Sequence, residues 1–99
     1  MSRPLDDNEI SGQLADLPGW IQEGQQLTLD LAAPDFLTGI RIVEEIAVEA
    51  ESMNHHPDID IRWRTLHVAL STHSAGGITQ LDIELAHRIS AIAKTHGAT

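Results

Sequence analysis

Apolar positions along the chain switch between a spacing of three to four and a spacing of two, and the switches divide it into five stretches. Asp6 and Glu9 stand three apart as a capping box, with Leu5 and Ile10 as the flanking staple. A first helix is predicted from there to about Leu17, closed by Pro18-Gly19. Trp20 to Glu23, then Leu27, Leu29 and Leu31 alternating with Thr28 and Asp30, predict two antiparallel strands around Gly24. Beyond Ala33-Pro34-Asp35, the residues Phe36, Ile40, Val43, Ala47 and Ala50 trace one stripe of a long helix. That helix should stop near Asn54, because Pro57 disfavours helical geometry in the residues before it. Ile59, Ile61 and Trp63 alternate with Asp58, Asp60 and Arg62, and Leu66, Val68 and Leu70 alternate with His67, Ala69 and Ser71. This is a second pair of strands with one buried face, ended by Gly76-Gly77. Thr79 and Asp82 make another capping box, stapled by Ile78 and Ile83. Leu81, Leu85, Ile89 and Ile92 then form a last amphipathic helix.

The order helix, two strands, helix, two strands, helix predicts an α+β two-layer domain. Four strands form an antiparallel sheet and three helices pack on one of its faces. No repeat or linker interrupts the pattern, so residues 1–99 read as a single domain, with Gly97 to Thr99 as a loose end. The stripes supply roughly twenty sizeable apolar side chains, a modest core, and pairing across an open strand edge would strengthen it. A homodimer or homotetramer is expected.

Composition narrows the partners. Fifteen Asp and Glu against six Lys and Arg give a formal charge of -9, which repels nucleic acid. Trp20, Phe36 and Trp63 are the only aromatics, too few for a base-stacking platform. Cysteine is absent, which removes disulfides, thiolate nucleophiles and Cys-ligated zinc. No apolar run reaches membrane-spanning length, and Met1 to Asp7 lacks the charged and then greasy pattern of a leader. A cytoplasmic location without membrane attachment is expected.

The chemistry concentrates between Glu51 and Asp82, where four of the six histidines fall: His55, His56, His67 and His73. An unperturbed imidazole titrates near ~6.5 and can both take and give a proton at cellular pH. His55 and His56 occupy the junction between a helix end and Pro57, which stiffens it, and both could point into one pocket. His73 closes the second strand pair and reaches the same end of the sheet if those strands are antiparallel neighbours. Glu51, one helical turn before His55, could orient its imidazole, or could be an ordinary boundary carboxylate. Asp82 is explained by the helix start alone and stands second to these. His67 reads as a sheet-surface residue, and His87 and His96 as structural. Adjacent histidines share neither a helical nor a strand face, so the spacing argues against zinc. Gly76-Gly77 lacks the further glycines and Lys of a phosphate loop.

The run Glu51-Ser-Met-Asn-His55-His56-Pro57-Asp, then Trp63, Ser71-Thr72-His73, Gly76-Gly77 and Asp82, resembles the pterin-4a-carbinolamine dehydratases. The likeness extends to the turn Leu17-Pro18-Gly19-Trp20 and to the helix after Asp35-Phe36, and so covers nearly the whole chain. It departs at Ile59, Leu29 and Leu31, where the family is commonly aromatic. The resemblance implies dehydration of a 4a-hydroxytetrahydropterin to the quinonoid dihydropterin, without a cofactor. It further implies that His55, His56 and His73 ring the reacting edge of the pterin, with Glu51, Pro57, Trp63 and Asp82 in support. Which histidine is acid and which is base stays open. Two other readings follow from the same likeness: a protein-binding module of the transcriptional-cofactor kind, or action on another pterin in folate or molybdopterin metabolism.

Overall fold

A computed structural model describes residues 3–99. Met1 and Ser2, the first positions of the Met1 to Asp7 stretch, lie outside the described residues. The elements follow the predicted order: α1 (Asp7–Leu14), β1 (Ile21–Glu23), β2 (Gln26–Ala32), α2 (Phe36–Met53), β3 (Asp58–Arg62), β4 (Thr65–Leu70) and α3 (Gln80–Thr95). A single 3₁₀ turn, His73–Ala75, sits between β4 and α3. All strand neighbours are antiparallel in the order β1-β2-β4-β3, which makes β2 and β4 the centre of the sheet.

Both capping boxes form. The Asp6 carboxylate accepts from the Glu9 amide at 2.8 Å, and the Glu9 carboxylate accepts from the Asp6 amide at 3.0 Å. The Arg3 guanidinium, bonded to Glu9, joins that amide in pulling the Glu9 carboxyl down to about 2. α1 stops three residues short of the predicted end. Asp16 and Leu17 bond to Gln13 and Leu14, a tightened last turn that swings Leu17 into the core.

The alternation in the strands does what period two requires. Leu27, Leu29 and Leu31 of β2 and Leu66, Val68 and Leu70 of β4 are buried, while Asp30, Asp60, Arg62 and His67 stand exposed on the outer face. The helices cover the buried face with Ile10 from α1, Ile42 and Ile46 from α2, and Ile83, Leu85 and Ile89 from α3. Each fully buried side chain of this kind contributes on the order of 1.5–3 kcal/mol. Trp20 is buried and donates its indole N–H to Ser90 Oγ at 2.8 Å, which ties the start of β1 to α3. Arg88 bridges α3 to α2 through Glu49 at 3.1 Å, and is steadied on its own helix by Glu84 at 3.0 Å.

Two expectations need correction. The buried stripe of α2 is Gly39, Ile42, Ile46 and Ala50, so the helix is rotated from the predicted face: Phe36 and Ala47 are exposed. Gly39 is the reason. A Cβ there would lie 3.2 Å from Ile61 Cδ1 and 3.4 Å from Leu66 Cδ1, so the bare backbone is what lets the helix approach the sheet. Nor is the end of the chain loose. Thr99 exchanges two backbone hydrogen bonds of 3.0 Å with Ala32, which ties the chain end to the last residue of β2.

Candidate active site

The junction after α2 is built by one left-handed residue. Asn54 adopts φ 49° and ψ 44°, a conformation that a short polar side chain tolerates, and its amide bonds to Ala50 and Glu51 carbonyls. The His55 amide then folds back onto the Ala50 carbonyl at 3.0 Å. The chain leaves helical phase here, and the histidine pair divides. His55 is 9% exposed, whereas His56 stays on the surface, and half-buried Pro57 leads into β3.

His55 Nε2 lies 2.6 Å from Oδ1 of Asp82, which is 0% exposed. A carboxylate only accepts, so the imidazole donates from Nε2. Asp82 Oδ2 accepts twice more, from the Thr79 amide at 2.9 Å and from the Thr72 hydroxyl at 2.8 Å. The helix cap is therefore also the seat of a histidine. Among the described residues no buried side-chain nitrogen or oxygen lacks a hydrogen bond, and His55 Nδ1 has none, so Nδ1 is the atom that meets solvent.

Glu51 takes a different partner from the expected one: its Oε2 lies 2.5 Å from His56 Nε2, in an exposed pair. The helical spacing from Glu51 to His55 does not survive the left-handed Asn54. His73 opens the 3₁₀ turn and is exposed. Its position follows from the register, because Asp58 pairs with Ala69, so the chain before β3 and the chain after β4 leave the same end of the sheet. A bridge between Thr72 and Gly77 closes the loop that carries it. Thr72, the residue before His73, is directly bonded to the carboxylate that holds His55. The structure thus brings His55, Asp82 and the His73 loop together, with the His56–Glu51 pair on the outside.

Trp63 is not brought to them. It forms the tip of the β3–β4 hairpin at φ 53°, 72% exposed, with the Arg64 guanidinium 5.1 Å from its ring. Six residue steps at ~3.3 Å each separate it from Pro57, roughly 20 Å along β3. A cleft of about 520 Å³ between the Pro18-Gly19 turn, Leu31 and the Ala93-Lys94 end of α3 contains none of the histidines. Among the described residues no group of three His, Cys, Asp or Glu side chains is placed to hold a metal ion.

The profile of the pterin 4 alpha carbinolamine dehydratases matches residues 3–92. The chain belongs to this family. It is 54% identical over 85 residues to a Mycobacteroides abscessus protein provisionally named a pterin-4-alpha-carbinolamine dehydratase, covering 86% of this chain and 90% of that one. A Nocardia farcinica protein of the same provisional name is 47% identical over 90 residues, 91% of this chain and 95% of its own. Among solved structures, a transcriptional coactivator/pterin dehydratase from Brucella melitensis superposes with a TM-score of 0.89 at 32% identity, covering 92% of this chain and 99% of that one. A pterin dehydratase-like protein described as a RuBisCO assembly factor in the alpha-carboxysome shares the fold, with a TM-score of 0.65 at 19% identity over 76% of this chain and 89% of its own. The dehydratase family is one of hydro-lyases, and this chain stands among them.

Thr72 and Thr79 are the site residues that sequence reasoning missed. Thr72 stood beside His73 in the family motif, and Thr79 was assigned as a cap, but neither spacing announces a hydroxyl bonded to a buried carboxylate. No helix is long and apolar enough to cross a membrane among the described residues.

Proposed function

We propose that residues 1–99 act as one dehydratase domain that converts a 4a-hydroxytetrahydropterin to the quinonoid dihydropterin and water by histidine acid–base catalysis. An imidazolium gives its proton to the hydroxyl leaving carbon 4a, a neutral imidazole removes the proton from nitrogen 5, and the two transfers release one water. Each is worth roughly 100- to 10,000-fold. His55, His56 and His73 are the proposed proton carriers, with Asp82 seating His55, Glu51 paired to His56, and Pro57 fixing the junction. The observation that carries the reading is His55 itself: Nε2 is committed to a buried carboxylate and Nδ1 is left open. That is the arrangement of a histidine kept in one tautomer for proton transfer. Trp63 has no part in this chain's own site on that reading. The setting would be cytoplasmic pterin recycling, with no cofactor and no direct contact to nucleic acid.

One observation favours a second, protein-binding role. Phe36, Leu37 and Val48 of α2 are 49%, 58% and 65% exposed, large apolar groups set among the exposed Arg41, Glu44 and Glu45, which a homodimer, a homotetramer or a foreign helix would cover. The Brucella relative carries both names, coactivator and dehydratase. The test is direct. Chemically generated 4a-hydroxytetrahydropterin is supplied with and without the protein, and quinonoid dihydropterin is followed by absorbance. Acceleration is expected, and a His73→Ala variant should lose at least tenfold; no acceleration would transfer the weight to the binding role.

A further inference from the structure

The three hydrogen bonds at Asp82 have a direction. With Asp82 as a carboxylate, the single proton of the Thr72 hydroxyl goes to Oδ2 at 2.8 Å. The Thr72 and Thr79 hydroxyls also lie 2.8 Å apart, and Thr72 has no second proton, so Thr79 donates to Thr72. Thr79 Oγ1 in turn accepts from the Leu81 amide at 3.2 Å. The result is an ordered chain from the first turn of α3 through Thr79, Thr72 and Asp82 to His55, in which each bond polarises the next. Thr79 and Asp82 are 0% exposed, and Thr72 is 6% exposed.

Thr72 holds three further bonds through its backbone, one of them accepted by its carbonyl from the Ala75 amide at 3.0 Å. Its amide donates to the Gly77 carbonyl at 3.0 Å, and its carbonyl accepts from the Gly77 amide at 3.4 Å, so its backbone closes the loop that carries His73. One residue therefore touches both halves of the site: its side chain reaches His55 through Asp82, and its backbone anchors the neighbouring His73. A helix cap needs only Thr79 and Asp82. Thr72 satisfies no backbone amide of α3, so the cap leaves its side-chain bond to Asp82 unexplained.

We infer that Thr72 is a positioning residue of the dehydratase site, which orients the Asp82 carboxylate, holds His55 in the Nε2–H tautomer with Nδ1 open, and registers the His73 loop against it. This deepens the proposed function and rests on it for its effect on turnover, although its effect on His55 stands by itself. Valine replaces the hydroxyl by a methyl group of similar size. In Thr72→Val the carboxylate loses one of its two anchors on Oδ2 and is held less firmly toward His55.

The experiment compares wild type, Thr72→Val, Thr72→Ala and Thr72→Ser by two readouts. Long-range proton–nitrogen-15 spectra report the tautomer of each histidine, and dehydration kinetics report kcat and KM. In Thr72→Val and Thr72→Ala the Nε2–H signature of His55 should weaken while the Nδ1–H signature of His67, which bonds Asp30 through that atom, stays as it was. kcat should fall at least fivefold with KM within twofold. Thr72→Ser should restore both readouts to within twofold of wild type. Unchanged His55 signals in Thr72→Val and Thr72→Ala would overturn the inference, as would a Thr72→Ser variant no better than Thr72→Ala. Wild type without dehydratase activity would sink the proposed function alone, because the His55 spectra would still decide the role of Thr72.

Discussion

The molecule holds two histidine–aspartate pairs of nearly equal length in opposite surroundings. His67 Nδ1 meets Asp30 Oδ1 at 2.5 Å on the outer face of the sheet, with the side chains 48% and 76% exposed. His55 Nε2 meets Asp82 Oδ1 at 2.6 Å between sheet and α3, at 10% and 0%. Distance alone would rank them together; their surroundings separate them. Asp30 has no other side-chain partner among the described residues, so water solvates it freely, whereas Asp82 is fixed by two further donors. A buried carboxylate cannot trade its bonds for water, so it holds its imidazole in a single arrangement. A surface pair shifts a titration and does little else.

Removing the buried acid should have the largest effect. Asp82→Ala deprives His55, Thr72 and the Thr79 amide of their common acceptor, and each buried donor left without a partner costs about 1–3 kcal/mol. A domain of this size has about 5–15 kcal/mol in all, so urea denaturation should show a large loss. A change below about 1 kcal/mol would show that the buried pair is no better supported than the surface one.

At the surface, the hydrogen bond to Asp30, with the nearby charges of Asp30, Glu23 and Asp60, raises His67 above its ordinary value of 6.5. The folded state therefore binds the proton more tightly than the unfolded chain. That contribution is complete below about pH 6.5 and is lost as pH climbs through the raised value. Asp30→Asn should bring the His67 midpoint, followed by NMR, back toward 6.5 and change stability by less than about 1 kcal/mol. A midpoint that stays raised would assign the shift to Glu23 and Asp60. The smallest effect is that of salt. At 1 M, where charges are screened beyond about 3 Å, the His67 midpoint should drift toward 6.5 while the His55 tautomer stays fixed. A His55 tautomer that responds to salt as His67 does would erase the distinction.

The sequence announced most of the framework because its signals were local. Asp6 with Glu9 and Thr79 with Asp82 are reciprocal contacts three residues apart, and the alternation from Leu27 to Leu31 and from Leu66 to Leu70 names the buried face directly. It misled at α2, because Gly39 faces the sheet without a side chain to mark that face, and Phe36 and Ala47 drew the stripe to the wrong flank. At the site, the histidines were visible as residue types but their partners were not. The Asp82 bond to His55 spans 27 positions and was hidden behind a helix cap that already explained the residue. Glu51 was matched to His55 on the assumption of a continuing helix, and one left-handed residue, Asn54, gave it His56 instead. Trp63 belongs to the same motif, yet β3 carries it to the opposite end of the sheet.

The buried pair and the surface pair can be set against each other in one assay. Dehydration of 4a-hydroxytetrahydropterin is measured for His55→Ala and His67→Ala beside wild type, with folding of both variants checked by circular dichroism. His55→Ala should lose at least tenfold in turnover and His67→Ala should stay within twofold of wild type. Equal rates in the two variants would contradict the assignment of proton transfer to the histidine that Asp82 holds.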